Sequence, residues 1–528
     1  MNLKNENIPE KESSSRFTRR QILKGLASLP VLGLFAQQFL KKMDYDSGRR
    51  AQILSELNLN GPVQWTSSPI SDKLIRVGII GFGVRGEEQA RALGFAHPDW
   101  LEQLRINAQK NKLDTRLQDW LNQENLQVAI TGICEVFDQR RERGLEVAQN
   151  KIGPSSAAPS LPVMGYQDYR KMLESRDIDA VIIATPDHHH AQITIDAVKA
   201  GKHVYCEKCF TRTVDELYQV REAVKTSGLV FQLGHQYHQN ASFTKAREVI
   251  EKNILGKITL VEVTTNRNTP DGAWIRHLDT QGNPKPGNMQ TINWDLWLGS
   301  RPKVPFSIDR YYNWTKWWDY ATGLSGQLLS HEYDAVNQLL GLGIPATVTA
   351  SGGIYYFKDN REIPDIFHAV FEFPEKDITL MYSASLANSR FRSRVLMGHD
   401  ASMELGDDLK VTVDDDSTRF KEKIKSGLID TSAPLFTYRP GASGIDAVTT
   451  ASEKFYASRG LIYTYRDGRR VDTTHLHVRE WLEGIRSGSK LSCGIDKAFE
   501  VTLACHMATT SYREGRTVKW NPQKQLIV

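Results

Sequence analysis

An apolar, β-branched run that stops at a glycine-rich turn and restarts as a helix constrains this chain more than any other feature. Leu74-Ile-Arg-Val-Gly-Ile-Ile80 reads as a buried strand. Gly81-Phe82-Gly83-Val84-Arg85-Gly86 follows at once, and Glu87 to Ala92 continues as a helix. Each glycine has its own task. Gly81 permits the tight turn, Gly83 lets the backbone approach a pyrophosphate, and Gly86 lets the helix lie close on the strand. The helix N-terminus then offers free N–H groups to a phosphate, with Phe82, Val84 and Arg85 beside them.

A second strand, Gln127 to Cys134, ends at Glu135. A carboxylate there accepts from a ribose 2′-OH and repels a 2′-phosphate, which favours NAD over NADP. Glu135 stands 49 residues past Gly86, against the usual offset of about 20. The intervening His97 to Glu124 is charged and helical in pattern, so it reads as an inserted extension. Further on, Asp179 to Thr185 is a buried strand, with Pro186-Asp187-His188-His189-His190 at its carboxyl end. A helix over Ala191–Ala200 and a strand over Lys202–Cys206 come next. Alternating strands and helices imply a parallel, doubly wound Rossmann sheet, whose ligands sit beyond the carboxyl ends of the strands. Thr185, Pro186, His189 and His190 are therefore placed at the cofactor.

The charge balance argues against nucleic acid. Residues 1–43 carry eight Lys/Arg against three Asp/Glu, and the remaining 59 basic and 59 acidic residues cancel. The basic excess belongs to the leader, so no nucleic-acid partner is expected. Thr18-Arg19-Arg20-Gln-Ile-Leu-Lys24 and the short apolar run Gly25–Phe39 resemble a twin-arginine (Tat) export signal. The run is too short to span a bilayer comfortably. The expectation is export by the Tat machinery to a periplasm. No clean cleavage site follows, so a persisting membrane tether is also expected. Residues 44–72 read as a polar linker with one short helix near Gln52–Leu59.

Gly201-Lys-His-Val-Tyr-Cys206-Glu207-Lys208, shortly after Thr185-Pro-Asp-His-His-His-Ala191, resembles the Gfo/Idh/MocA family of sugar and polyol oxidoreductases. Gly234-His235-Gln236-Tyr237, Ile254-Leu-Gly-Lys-Ile258 and Gly326-Gln327-Leu-Leu-Ser-His331-Glu-Tyr-Asp334 extend the likeness, as do His477–Ile485 and Ser511–Val518. The resemblance implies an α/β chain. A Rossmann domain over 73–208 precedes a C-terminal α+β domain over 209–528, built on an open, mainly antiparallel sheet also used for oligomerisation. A homo-oligomer, dimer or tetramer, is expected, with the last helices packing back on the Rossmann domain. Two departures stand out. Cys209 replaces the proline that the family usually has after Glu-Lys. Gln327 stands where the family often has Asp, and Gln cannot ionise.

Oxidising a secondary alcohol needs a hydride acceptor and a base. Lys208 is the expected base or hydroxyl partner, since burial and a nicotinamide cation would lower its pKa toward neutrality. Glu207 is placed beside it at the cofactor. His331 is the second acid/base group, with Asp334 three residues on to orient it. Tyr237, Gln327, Asp334, Trp317 and Trp318 are expected at the substrate. The two tryptophans belong to the aromatic run Tyr311–Tyr320, whose flat rings suit sugar C–H faces, although core packing explains such a run equally well. No metal is expected: adjacent histidines in a loop rarely converge on one ion, and no complementary carboxylate spacing accompanies them. Cys206 and Cys209 have redox-pair spacing, and a disulfide between them is open in an oxidising compartment. The loop Thr269–Gln290 reads as a lid or arm. The substrate is expected to be a sugar, glycoside or polyol. Three functions stay open: a simple dehydrogenase, a redox-neutral glycosidase or transhydrogenase with captive cofactor, and a non-catalytic carbohydrate-binding protein.

Overall fold

A computed structural model describes residues 48, 52–59, 70–149, 153–154, 161–270, 286–390, 392–440, 463–466 and 469–528. The export signal and most of the Thr269–Gln290 loop lie outside them. Among the described residues no helix is long and apolar enough to cross a membrane.

The N-terminal sheet contains β1 (Ile75–Ile80), β2 (Val128–Cys134), β3 (Met164–Tyr166), β4 (Ala180–Ile183), β5 (His203–Cys206) and β6 (Phe231–Leu233), in the order β3-β2-β1-β4-β5-β6. Every pairing is parallel. The order reverses beside β1, which opens a crevice at the carboxyl ends of β1 and β4. The boundary expected at residue 208 falls inside this sheet, because β6 adds a further parallel strand after Lys208. The short strand Phe231–Leu233 carries too little periodicity to be seen in sequence. The inserted stretch before β2 forms two helices, Pro98–Lys110 and Arg116–Leu121.

The second sheet has ten strands. Its members are β7 (Ile258–Asn266), β8 (Thr347–Gly353), β9 (Ile366–Phe373), β10 (Ile378–Ser385), β11 (Arg394–Gly398), β12 (Ala401–Leu405), β13 (Leu409–Val413) and β14 (Phe436–Tyr438). A separate hairpin pairs β15 (Tyr463–Arg466) with β16 (Arg469–Asp472), and β17 (Val518–Asn521) and β18 (Leu526–Ile527) complete the large sheet beyond β8. Its pairings are antiparallel except β7 with β10.

Period-two burial in β9, β12 and β13 turns one face of this sheet onto helix α1 (Ser330–Leu340), whose Tyr333 and Val336 are fully buried. The linker also contributes. Ile53 and Leu59 pack into this core and Glu56 pairs with Lys423, so part of the expected linker is integral to the second domain.

The last helices return to the first sheet. Helix α2 (Thr473–Ser487) places Val478, Trp481 and Leu482 on one apolar stripe against Tyr205 and Phe82. Helix α3 (Ile495–Glu514) lays Phe499 and Leu503 against Phe231 and Leu233. Both faces of the nucleotide-type sheet are thereby covered, as an all-parallel sheet requires.

Candidate functional site

A cavity of about 650 Å³ opens at the strand-order reversal, within the range usual for small-ligand sites. Its floor is the glycine turn. Gly81 has φ +87°, and a Cβ there would lie 2.7 Å from the Ala184 carbonyl oxygen, so only glycine fits. A Cβ on Gly86 would lie 2.1 Å from the Gly81 oxygen, which is how the helix Val84–Ala92 approaches β1 so closely. That helix starts at Gly83 with no side chain capping it, so its first N–H groups face the cavity. Glu135 accepts from Phe82 N at 2.7 Å and Phe137 N at 3.1 Å, which fixes its carboxylate at the tip of β2. Uncapped donors, a close-approach glycine and a fixed carboxylate at these places suit the pyrophosphate and ribose of a dinucleotide.

The chemical end lies deeper. Lys208 Nζ donates to the Gln327 carbonyl at 3.0 Å. That carbonyl belongs to a π-helical turn, Ser325–Leu329, which leads into α1; such widened turns recur at functional sites. Gln327 Nε2 donates to Asp187 Oδ2 at 2.8 Å, and Thr322 N and Oγ1 donate to the same oxygen at 3.3 and 3.2 Å. Asp187 is 1% exposed, and its Oδ1 is buried without a partner. Burial raises its pKa, against the opposing pull of His190 and Lys208. His331 Nδ1 is likewise enclosed and unpartnered. Burial first, then the Lys208 charge, push His331 well below its ordinary value, so the imidazole is neutral. Tyr237 completes this wall; Arg394 lies 4.8 Å over its ring and pairs with Glu332.

Gly81, Gly83, Val84, Arg85, Glu135, Thr185, Pro186, His189, Glu207, Lys208, Tyr237, Gln327 and His331 all line the cavity. The remaining residues need correction. Phe82 turns its ring into the core and offers only its backbone N–H. Gly86 acts through helix packing. Glu207 holds Arg85 Nε at 2.7 Å and Gln89 Nε2 at 2.5 Å, so its Oε1 is committed to them. His190 lies behind the wall, its ring nitrogens 2.5 Å from Cys209 O and 2.7 Å from Thr185 O, and so ties two loops together. Asp334 does not orient His331. It faces His235 and His238 and takes a 2.5 Å bond from Gln338. Three residues along a helix is 300°, close enough to share a face but not to guarantee contact. Trp317 and Trp318 are not at the cavity: Trp317 packs under Arg310, and Trp318 lies against Tyr512 and Arg513. The aromatic lining comes from Trp297, Tyr311, Tyr312 and Trp314. Cys206 and Cys209 are free and buried, with no disulfide. The Lys208–Cys209 peptide is cis.

Sequence reasoning missed Asp187, which sits inside the strand-end segment Thr185–His190. Its position beyond a parallel strand was the available signal. It also missed a strap. The stretch after Pro286 crosses back onto the nucleotide side. Asn293 N donates to Val136 O at 2.9 Å and Asp138 N to Thr291 O at 3.0 Å. Trp297 O receives His188 Nε2 at 2.8 Å and His189 Nε2 at 2.7 Å, and Arg140 donates to Tyr311 Oη at 3.0 Å while lying over the rings of Tyr311 and Tyr312.

The buried histidines set an acid limit on stability. Burial pushes His189, His475 and His506 down to about 4, and His188 and His331 also well down. Their unfolded forms take protons near pH 6.5 while the folded forms do not. Each therefore removes about 1.4 kcal/mol of stability per pH unit as the pH falls through the window between those two values. Thermal denaturation at pH 7 and pH 5 is expected to show a clearly lower Tm at pH 5. Equal values would contradict the burial of these rings as neutral groups.

Comparison with known proteins agrees with this geometry. A family model for the NAD-binding Rossmann fold of the Gfo/Idh/MocA oxidoreductases matches residues 75–235, and the model for that family's C-terminal alpha/beta domain matches residues 287–520. A levoglucosan dehydrogenase from Pseudarthrobacter phenanthrenivorans is 36% identical over 112 residues, 20% of this chain and 29% of that protein. A scyllo-inositol 2-dehydrogenase (NADP(+)) from Bacillus subtilis is 22% identical over 65% of this chain and 78% of its own length. The first four curated relatives are matched over only 29–42% of their length. The solved structure of a levoglucosan dehydrogenase in complex with NADH superposes with a TM-score of 0.56 at 18% identity, covering 85% of this chain and 99% of that one, which is a likeness of fold. With the glycine turn, the mixed sheet and both family models in register, this chain belongs to the Gfo/Idh/MocA oxidoreductase family.

Proposed function

We propose that the protein oxidises a secondary hydroxyl of a sugar or polyol with a nicotinamide dinucleotide. The observation that carries this is the meeting of Lys208 and the unpartnered Nδ1 of neutral His331 in the cavity that also holds the uncapped glycine turn. When bound, the nicotinamide supplies the hydride acceptor. The chain's own groups handle the proton. Lys208, anchored on the Gln327 carbonyl, has N–H groups left to hold the substrate oxygen, and the neutral His331 can accept the hydroxyl proton. Asp187 supplies the negative charge that balances Lys208. The second domain adds Thr265, Arg267 and Glu332 to the same wall, polar groups suited to hydroxyls. The dehydrogenases of levoglucosan and inositol among the relatives support the substrate class.

NAD is favoured over NADP because the Glu135 carboxylate would face a 2′-phosphate. The Tat-like leader supports export, and the wide second sheet supports a homo-oligomer. Screening the purified protein with NAD and NADP against a sugar and polyol panel tests the reaction. If no member of the panel reduces either dinucleotide, simple dehydrogenation fails.

The strap favours a second reading, in which the dinucleotide is captive and the hydride returns within one catalytic cycle. Trp297 and Tyr311 line the cavity from this strap, and its contacts to Val136, Asp138 and the two histidines would help to retain a bound dinucleotide. Denaturing the protein purified without residues 1–43 is expected to release close to one dinucleotide per chain. A chain that emerges empty and binds added NAD weakly would overturn captivity.

A further inference from the structure

Behind the catalytic helix, three metal-ligating side chains from distant segments converge. They are His235, just past β6; Asp334, on α1; and Cys493, in the turn between α2 and α3. All three are almost wholly enclosed, at 1%, 1% and 0% exposure. Cys493 Sγ lies 3.6 Å from His235 Nδ1 and 3.9 Å from Asp334 Oδ1, and His235 Nδ1 lies 3.6 Å from Asp334 Oδ1. The nitrogen–oxygen separation is too long for an ordinary hydrogen bond, whose N···O distance is about 2.7–3.2 Å. The three separations lie at or a few tenths of an ångström above the edges of a tetrahedron around zinc, where bonds of about 2.0–2.3 Å to N, O and S place neighbouring ligands roughly 3.3–3.7 Å apart, so binding would draw the three groups slightly together.

We propose that His235, Asp334 and Cys493 bind a zinc ion that staples the Rossmann sheet to the helix carrying His331. Charge supports this independently of distance. Among the described residues no Lys or Arg forms an ion pair with the Asp334 carboxylate, which faces His235, His238, Gln338 and Cys493. Zn²⁺ with one carboxylate, one thiolate and neutral imidazole is electrically neutral, the form a dry interior tolerates. Binding displaces the Cys493 thiol proton to solvent and involves no redox change.

The carboxylate is held from its far side, while His235 Nε2 is buried without a partner. Gln338 Nε2 donates to Asp334 Oδ2 at 2.5 Å and leaves Oδ1 for the ion. His238 Nε2 is itself buried with no hydrogen-bond partner in this arrangement, so a small turn of the carboxylate would offer it as a fourth ligand. Leu233 N donates to Cys493 O at 3.0 Å, which brings the cysteine turn to the end of β6.

The position gives the ion a purpose. Asp334 lies one turn after His331, and the His235 and His331 rings are 5.3 Å apart. A zinc here would fix the helix that carries His331 against the sheet that carries Lys208. It would touch neither substrate nor dinucleotide. The pattern was invisible in sequence because its members stand about a hundred or more residues apart.

Elemental analysis of the full chain, purified without a histidine tag or chelator, tests the site. About one zinc per chain is expected. After chelator treatment, Tm is expected to fall and to recover on adding zinc. Refilling with Co²⁺ is expected to give a thiolate-to-cobalt charge-transfer band that Cys493→Ser abolishes. Less than about 0.1 equivalent of zinc, both as purified and after zinc addition, would overturn the proposal. So would cobalt uptake by the unmutated chain without the thiolate band, a readout that does not depend on the variant folding.

Discussion

Lys208→Met is expected to lower kcat/KM by about 10²- to 10⁴-fold, the usual contribution of a positioned proton-handling or oxygen-holding group. Dinucleotide binding should change little. The methionine keeps the packing of the aliphatic stem but removes every N–H. The Gln327 carbonyl then loses its 3.0 Å donor, and the substrate oxygen loses its cationic partner. Measuring released dinucleotide alongside turnover separates the two effects. A variant that retains full activity would remove Lys208 from the mechanism. A variant that loses the dinucleotide as well would assign Lys208 to the cofactor rather than to the substrate.

Asp187→Asn is expected to cost about 10- to 100-fold in kcat. Asn is isosteric, so Gln327 and Thr322 can keep an acceptor, and the fold should stand. What is lost is a buried negative charge near Lys208. Without it the Lys208 ammonium loses a counter-charge on the protein side of the cavity. Unchanged kcat in a variant whose Tm matches the parent would remove Asp187 from the proposed mechanism. The residue also accounts for Gln327. Where the family often places an aspartate on the helix, this chain has an amide that reaches 2.8 Å across to a carboxylate from the other domain. The negative charge is retained but comes from the end of β4.

The glycine turn was readable residue by residue, because its physics is local. A positive φ at Gly81 and the contact of Gly86 with the Gly81 carbonyl depend on atoms a few positions apart. Strands β1, β2, β4 and β5 were legible for the same reason, as short apolar runs bounded by turns. The second domain was legible only through its resemblance to a family, since its strands join partners far along the chain. The assignment of Asp334 to His331 failed because helical spacing fixes a face, while the neighbour that reaches that face, here His235 from the turn after β6, is chosen by the fold. The choice of Trp317 and Trp318 failed similarly. Composition located an aromatic segment, but which rings point at the cavity depends on how the strap turns over β2.

The sequence by itself determined the nucleotide-type turn, the parallel sheet and the Glu135 tip, and it singled out Lys208 and His331 as candidates at the ends of their elements. Those features are written in residues that act within one element or at its end. Only the tertiary structure decided that Asp187 supplies the buried carboxylate, that Glu207 clamps Arg85, that a strap closes over the cleft, and that His235, Asp334 and Cys493 meet. Each of these needs groups from separate elements to be brought within a few ångströms, and that proximity is set by packing the two sheets and the returning helices around shared cores, which no local pattern encodes.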